Sequence, residues 1–162
     1  MRMKTLLLTL VMVVSCAACS AATVKDSQVY LGGITCEQTT SEVVKLKGVP
    51  SSTEDLTNKL PLFKGHAMLN NYSDLSAILA NGRVLLVYTQ NNTSVYKEAA
   101  KTVDGASVGM TEGEIEKIYG EPTKSKPHSK LFYSTDTNPN KGLLFILNKE
   151  GRVEYIGAGY FD

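Results

Sequence analysis

From Thr39 onward the apolar and polar positions of this chain fall into two series of the same design. In the first, Val43 and Leu46 stand three apart, Gly48 and Pro50 follow, and aliphatic runs come later at 75–80 and 83–89. In the second, Ile115 and Ile118 stand three apart, Gly120 and Pro122 follow, and the runs lie at 130–134, 142–148 and 152–157. A spacing of three gives a short helix one apolar edge. Thr39-x-x-Glu42 and Thr111-x-x-Glu114 open each helix as a capping box: the threonine oxygen accepts from a first-turn amide, and the glutamate reaches back to the threonine amide. Gly48 and Gly120 let the chain leave the helix at positive φ, and the proline two residues on forbids its continuation. A helix of two turns is unstable alone and must dock on a larger surface. The runs supply that surface as strands, separated by turn-like residues at 137–140 and 149–151, and by Asn81-Gly82 in the first half. Each half is therefore expected to hold a three-stranded meander, beginning at Leu62 in the first. A further helix is expected to open the second half over 94–103, where Val95, Ala99 and Val103 share a face, with a shorter counterpart over 25–31.

The two series are copies of one another. With 33–50 set above 105–122, an offset of 72, Gly33, Thr39, Glu42, Gly48 and Pro50 meet identical residues, and Val43 and Leu46 meet Ile115 and Ile118. Leu62-Phe63 matches Leu131-Phe132, and Gly82-Arg83-Val84 matches Gly151-Arg152-Val153, both at offset 69, so one three-residue insertion reconciles the series. An ordered set of matches at a constant period marks an internal duplication. The fold class expected is α+β, a tandem repeat of a two-helix plus three-stranded antiparallel meander unit, with the helices on one face of the sheet. The repeats are placed at 23–92 and 93–162, after a signal peptide at 1–22.

That N-terminal segment has a basic start (Arg2, Lys4), an apolar stretch over 6–14 and small residues over 15–22, the layout of a secretory signal. Its apolar stretch is about half of the roughly 20 residues a spanning helix needs. Val13-Val14-Ser15-Cys16 resembles a bacterial lipobox, which would place an acyl chain on Cys16 and make it the new N-terminus. Cleavage after Ala22 to leave a soluble product is the other reading, and both stay open. Of the 3 cysteines only Cys36 lies beyond the signal, so no intramolecular disulfide is available and packing must supply the stability. The full chain, 162 residues with 17 basic and 16 acidic side chains, has no charge excess that would point to nucleic acid.

The run Val108-Gly109-Met110-Thr111-Glu112-Gly113-Glu114-Ile115-Glu116-Lys117-Ile118-Tyr119-Gly120-Glu121-Pro122, followed by a meander with the 148–153 hairpin, resembles the SmpA/OmlA (BamE-like) envelope lipoprotein domain. The duplicated arrangement resembles the β-lactamase inhibitory protein (BLIP-like) architecture, in which such a unit occurs twice. In the first copy Glu37 and Gln38 stand in place of the Gly-Met pair, and the inhibitor's disulfides have no counterpart. The resemblance implies a non-enzymatic binding module of the bacterial cell envelope, an accessory to outer-membrane protein assembly or a clamp that holds a protein partner on a sheet face. The motif's fixed residues (Thr39, Glu42, Gly48, Pro50, Thr111, Glu114, Gly120 and Pro122) are caps, turns and stops, so it speaks for fold more than for function.

Chemistry of another kind is thinly represented. His66 and His128 fall at non-equivalent positions with no cysteine or paired carboxylate nearby, which reads as loop histidines rather than as a catalytic or metal set. No cofactor, metal or catalytic residue is assigned. Lys124, Lys126, His128 and Lys130 around Pro127 read as a solvated basic loop, with an acidic partner or phospholipid headgroups as the alternative. Tyr133, Tyr155, Tyr160 and Phe161 are the candidate binding surface, since aromatics concentrate in interface cores. Strand alternation sets Tyr133 and Phe132 on opposite faces, so only one of them is expected in the core. The function expected is that of an exported, lipid-anchored envelope protein binding another envelope or secreted protein. It would sit at the outer membrane or periplasm of a Gram-negative host, or be secreted otherwise. Inhibition of a secreted enzyme such as a β-lactamase or protease, and carriage of a lipid or small molecule, are the alternatives.

Overall fold

The computed structural model describes residues 21–61 and 63–161. A short 3-10 turn, Asp26–Gln28, leads into a two-stranded hairpin of β1 (Tyr30–Leu31) and β2 (Ile34–Thr35). There follow α1 (Thr40–Lys47) and the strands β3 (Ser52–Asp55), β4 (Ala67–Asn71), β5 (Ser76–Ala80) and β6 (Arg83–Gln90). The second half repeats the order with α2 (Glu112–Tyr119), β7 (Lys124–Lys126), β8 (Lys130–Ser134), β9 (Lys141–Leu147) and β10 (Val153–Tyr160). The eight longer-range strands form one antiparallel sheet in the order β3-β4-β5-β6-β10-β9-β8-β7. The two four-stranded meanders thus meet at a β6–β10 seam, and β3 and β7 are the outer edges.

This architecture is mostly β, and it corrects the expected α+β tandem of two-helix, three-stranded units. Among the described residues each half contributes one α-helix and four strands of the eight-stranded sheet, and the first half adds the β1–β2 hairpin. The helix expected over 94–103 does not form. Its weak apolar stripe is overridden by bonds to neighbouring segments: the amides of Lys97, Ala100 and Thr102 donate to the carbonyls of Ser73, Asp74 and Ala106. Tyr96 is buried there instead, while Val95 and Val103 are exposed. Its counterpart over 25–31 is the 3-10 turn and β1. The unforeseen strands β3 and β7 are edge strands of exposed polar residues, with no alternation to betray them. The segment expected as a basic loop is mainly the β7–β8 hairpin. Phe63 lies in the 56–66 connection, not in a strand, so its match to Phe132 has no structural counterpart; Leu62 is outside the described residues.

The capping boxes form in both helices. The amides of Glu42 and Glu114 donate to Thr39 Oγ1 and Thr111 Oγ1, and the amides of those threonines donate to the Glu42 and Glu114 carboxylates at 2.7 and 2.8 Å. Gly48 and Gly120 end them with nearly identical backbones (φ 81, ψ −163 and φ 82, ψ −163), and Pro50 and Pro122 follow. The repeated Gly-Arg-Val triplets have a shared task. Arg83 and Arg152 donate to the carbonyls of Glu37 and Gly109, tying each hairpin end to the turn before its helix.

One continuous core lies between the sheet and the helices. It joins Val43, Ile115 and Tyr119 from the helices and Leu31 and Ile34 from the small hairpin to alternate strand residues, among them Val87, Leu131, Tyr133, Leu143, Phe145, Ile156 and Ala158. At about 25 cal/mol per Å² of apolar surface, such burial is what holds two-turn helices in place.

Candidate functional site: the open face of the sheet

Residues of opposite parity on the same strands face away from that core. Strand register assembles them into rows. One row runs Lys124, Phe132, Leu144, Gly157, Tyr88, Ser76, Asn71 and Ser52. Beside it on one side lie Lys126, Lys130, Ile146, Tyr155 and Gln90, and on the other Leu86, Ile78 and Leu69. Phe132 and Leu144 are buried, and the other apolar members are half-buried. None of this set belongs to the helix-side core.

Gly157 is the well at the centre of the face. A Cβ placed there would lie 2.9 Å from Phe161 Cζ and 3.0 Å from Tyr155 Cε1, so both rings close over the space a side chain would fill. Phe161 meets Phe132 edge to face at 5.6 Å between centroids. Tyr155 stacks on Tyr88 at 5.6 Å and 20°. Tyr96 reaches the same face from the 91–103 segment, its hydroxyl 2.8 Å from Ser76 Oγ. Burial, with the neighbouring phenols, pushes the Tyr155 hydroxyl well above the ordinary tyrosine range, so it stays neutral. Such a surface offers apolar area and phenolic hydrogen bonds together, the composition favoured at interface centres.

The candidate aromatics divide between the two faces. Tyr155 and Phe161 lie on the open face. Tyr133 does not: it is fully buried under α2, packed on Tyr119 and Phe145, and its hydroxyl donates to the Gly120 carbonyl at 2.9 Å. Tyr160 is on the helix side, with Lys141 Nζ 5.8 Å from its ring centroid. Phe132 and Tyr133 face opposite ways: Tyr133 is the one in the helix-side core, and Phe132 is buried on the open face, where Phe161 meets it. Tyr88, Tyr96 and Leu86 join the face without being among the residues expected there. The alternation in 83–89 could have flagged Tyr88 and Leu86, but nothing local marks Tyr96.

Other groups are placed as follows. Cys36 is packed against the core, and burial pushes its thiol up to about 12, so little thiolate forms at neutral pH. His128 sits at the β7–β8 turn, 3.4 Å from a Glu112 carboxylate oxygen, and His66 pairs with Thr57 Oγ1 at 3.3 Å. No cluster of metal-ligating side chains occurs among the described residues. No described helix is long and apolar enough to cross a membrane. The lipidation candidate Cys16 lies outside the described residues. Comparison with protein-family models, curated proteins and solved structures finds no match to this chain.

Proposed function

We propose that this chain is an exported, lipid-anchored envelope protein of the kind its second-copy motif resembles, a non-enzymatic module that holds a protein partner on its open sheet face. One observation carries the reading. The face turned away from the helices carries a contiguous apolar and aromatic surface from Phe161 through Tyr155 and Tyr88 to Leu86, Ile78 and Leu69. A sheet face with no core of its own to fill has reason to keep such residues if another molecule covers them.

Photo-crosslinking in the native host, from a benzoylphenylalanine at position 88 or 86 and from one at the exposed helix position 45, tests the face. Discrete adducts from 88 and 86 alone are expected, and equal labelling from all three would overturn the reading. The identity of the adduct separates an assembly accessory, which captures envelope subunits, from an inhibitor, which captures one enzyme. Anchoring is tested separately by metabolic labelling with a fatty-acid analogue. Label is expected in the wild type and absent in Cys16→Ala; equal label in both removes the assignment of the acyl chain to Cys16, and no label in either removes the anchor.

A further inference from the structure

At one end of the open face the sheet stops on a cationic strand. Lys126 of β7 stands directly opposite Lys130 of β8, and Lys124 directly opposite Phe132, so all four side chains share the open face. Like charges directly opposite one another destabilise an antiparallel pair. None of the three ammonium groups takes part in an ion pair among the described residues. Between them lies a hollow of about 150 Å³ lined by Phe132, Phe161, Ser125 and the three lysines. Beyond β7 no further strand is present among the described residues, and none of them pairs with its outer backbone edge.

We propose that β7 is the docking edge for an extended acidic segment of a protein partner, which adds as a ninth strand with carboxylates at alternate positions. The inference deepens the open-face reading and rests on it. A strand presents every second side chain on one face, so acidic residues two apart would lie beside Lys124 and Lys126. Glutamate suits the site better than aspartate, because its methylenes can pack on Phe132 and Phe161 while its charge meets the ammonium rim. The ligand charge also relieves the Lys126–Lys130 repulsion, a gain available only on binding. A second copy of the chain is the weaker occupant. Its own outer edge, β3, has Asp55 engaged with the Thr57 amide and the Asp55 carbonyl engaged with Lys59.

The test is fluorescence anisotropy with a labelled peptide bearing glutamate at alternate positions between valine and threonine, against the same composition with contiguous glutamates and a lysine-for-glutamate version. The alternating peptide is expected to bind, more weakly as salt rises, and the controls to bind at least tenfold more weakly. Lys124→Gln with Lys126→Gln should weaken binding by roughly tenfold, the effect of losing two exposed charge pairs, while thermal melting holds steady or rises. Phe161→Ala should weaken it independently of salt. If the lysines only protect the edge from pairing, the wild type will not bind the peptide, and the proposal fails. It also fails if vesicles containing phosphatidylglycerol bind in preference, or if sedimentation shows an assembly of this chain that the double variant dissolves. Crosslinking from position 88 that persists while peptide binding is absent would retain the open-face reading and remove this one.

Discussion

The left-handed backbone at Glu37 shows how a single position records the duplication. Gly109 takes φ 88 before the second helix, and Glu37 takes φ 69 at the equivalent turn before the first. The carbonyl of each accepts from an arginine one strand away, at 2.8 and 2.9 Å, so the turn cannot relax without losing that bond. A side chain in this region costs on the order of 1 kcal/mol relative to glycine. Glu37→Gly is therefore expected to raise stability by about 1 kcal/mol, read from denaturant unfolding with an unchanged m-value. A loss of stability would mean that the glutamate side chain contributes more than its backbone costs.

At the scale of the helix, the capping boxes make a pH prediction. The hydrogen bonds from Thr39 and Thr111 hold the Glu42 and Glu114 carboxyls below the usual glutamate range. A carboxyl with a depressed folded value contributes stability above its unfolded pKa, about 4.3 for glutamate, and loses it as pH falls through the folded value. Melting temperature should accordingly drop faster below about pH 4 in the wild type than in Glu42→Gln with Glu114→Gln. Parallel profiles would show that the boxes do not titrate with folding. Thr39→Ala and Thr111→Ala should each cost about 1 kcal/mol at neutral pH, checked by denaturant unfolding. These helices were legible because their signals are local: the cap, the apolar edge, the glycine and the proline lie within about a dozen residues. The 94–103 segment departs from its expected helix because the helical signal there is local too, while its actual partners, Ser73 and Asp74, are remote in sequence.

Across the whole molecule, the β6–β10 seam decides whether two small meanders become one platform. Gly159 sits there opposite Leu86 with φ 154, and a Cβ would fall 2.5 Å from the Leu85 carbonyl oxygen and 2.7 Å from Leu86 Cα. Those are backbone atoms of the paired strand and cannot step aside as a flexible side chain could. Gly159→Ala is expected to destabilise the protein by several kcal/mol, on the order of the larger backbone and core effects, and to broaden or split the thermal transition as the halves uncouple. A single sharp transition at the wild-type temperature would show that the seam is not what couples them. The same joining doubles the open face from four strands to eight, toward the roughly 800 Å² per partner that a standard interface uses.

The periodic apolar runs, the paired caps and stops and the repeat of Gly-Arg-Val determined by themselves that the chain contains two blocks of one design, where each capped helix begins and ends, and that the runs of β5, β6, β8, β9 and β10 carry the core. These are consequences of backbone geometry and burial, which act over one or two turns or a few alternating residues. Tertiary structure alone decided that Ser-Thr-Glu-Asp and Lys-Ser-Lys become edge strands, since both faces of such strands stay wet and a hydrogen-bonding neighbour replaces any hydrophobic pattern. It also decided which tyrosines are buried. Tyr133 and Tyr155 have similar strand surroundings in sequence, and only the side on which α2 packs makes the first a core residue and leaves the second on the open face.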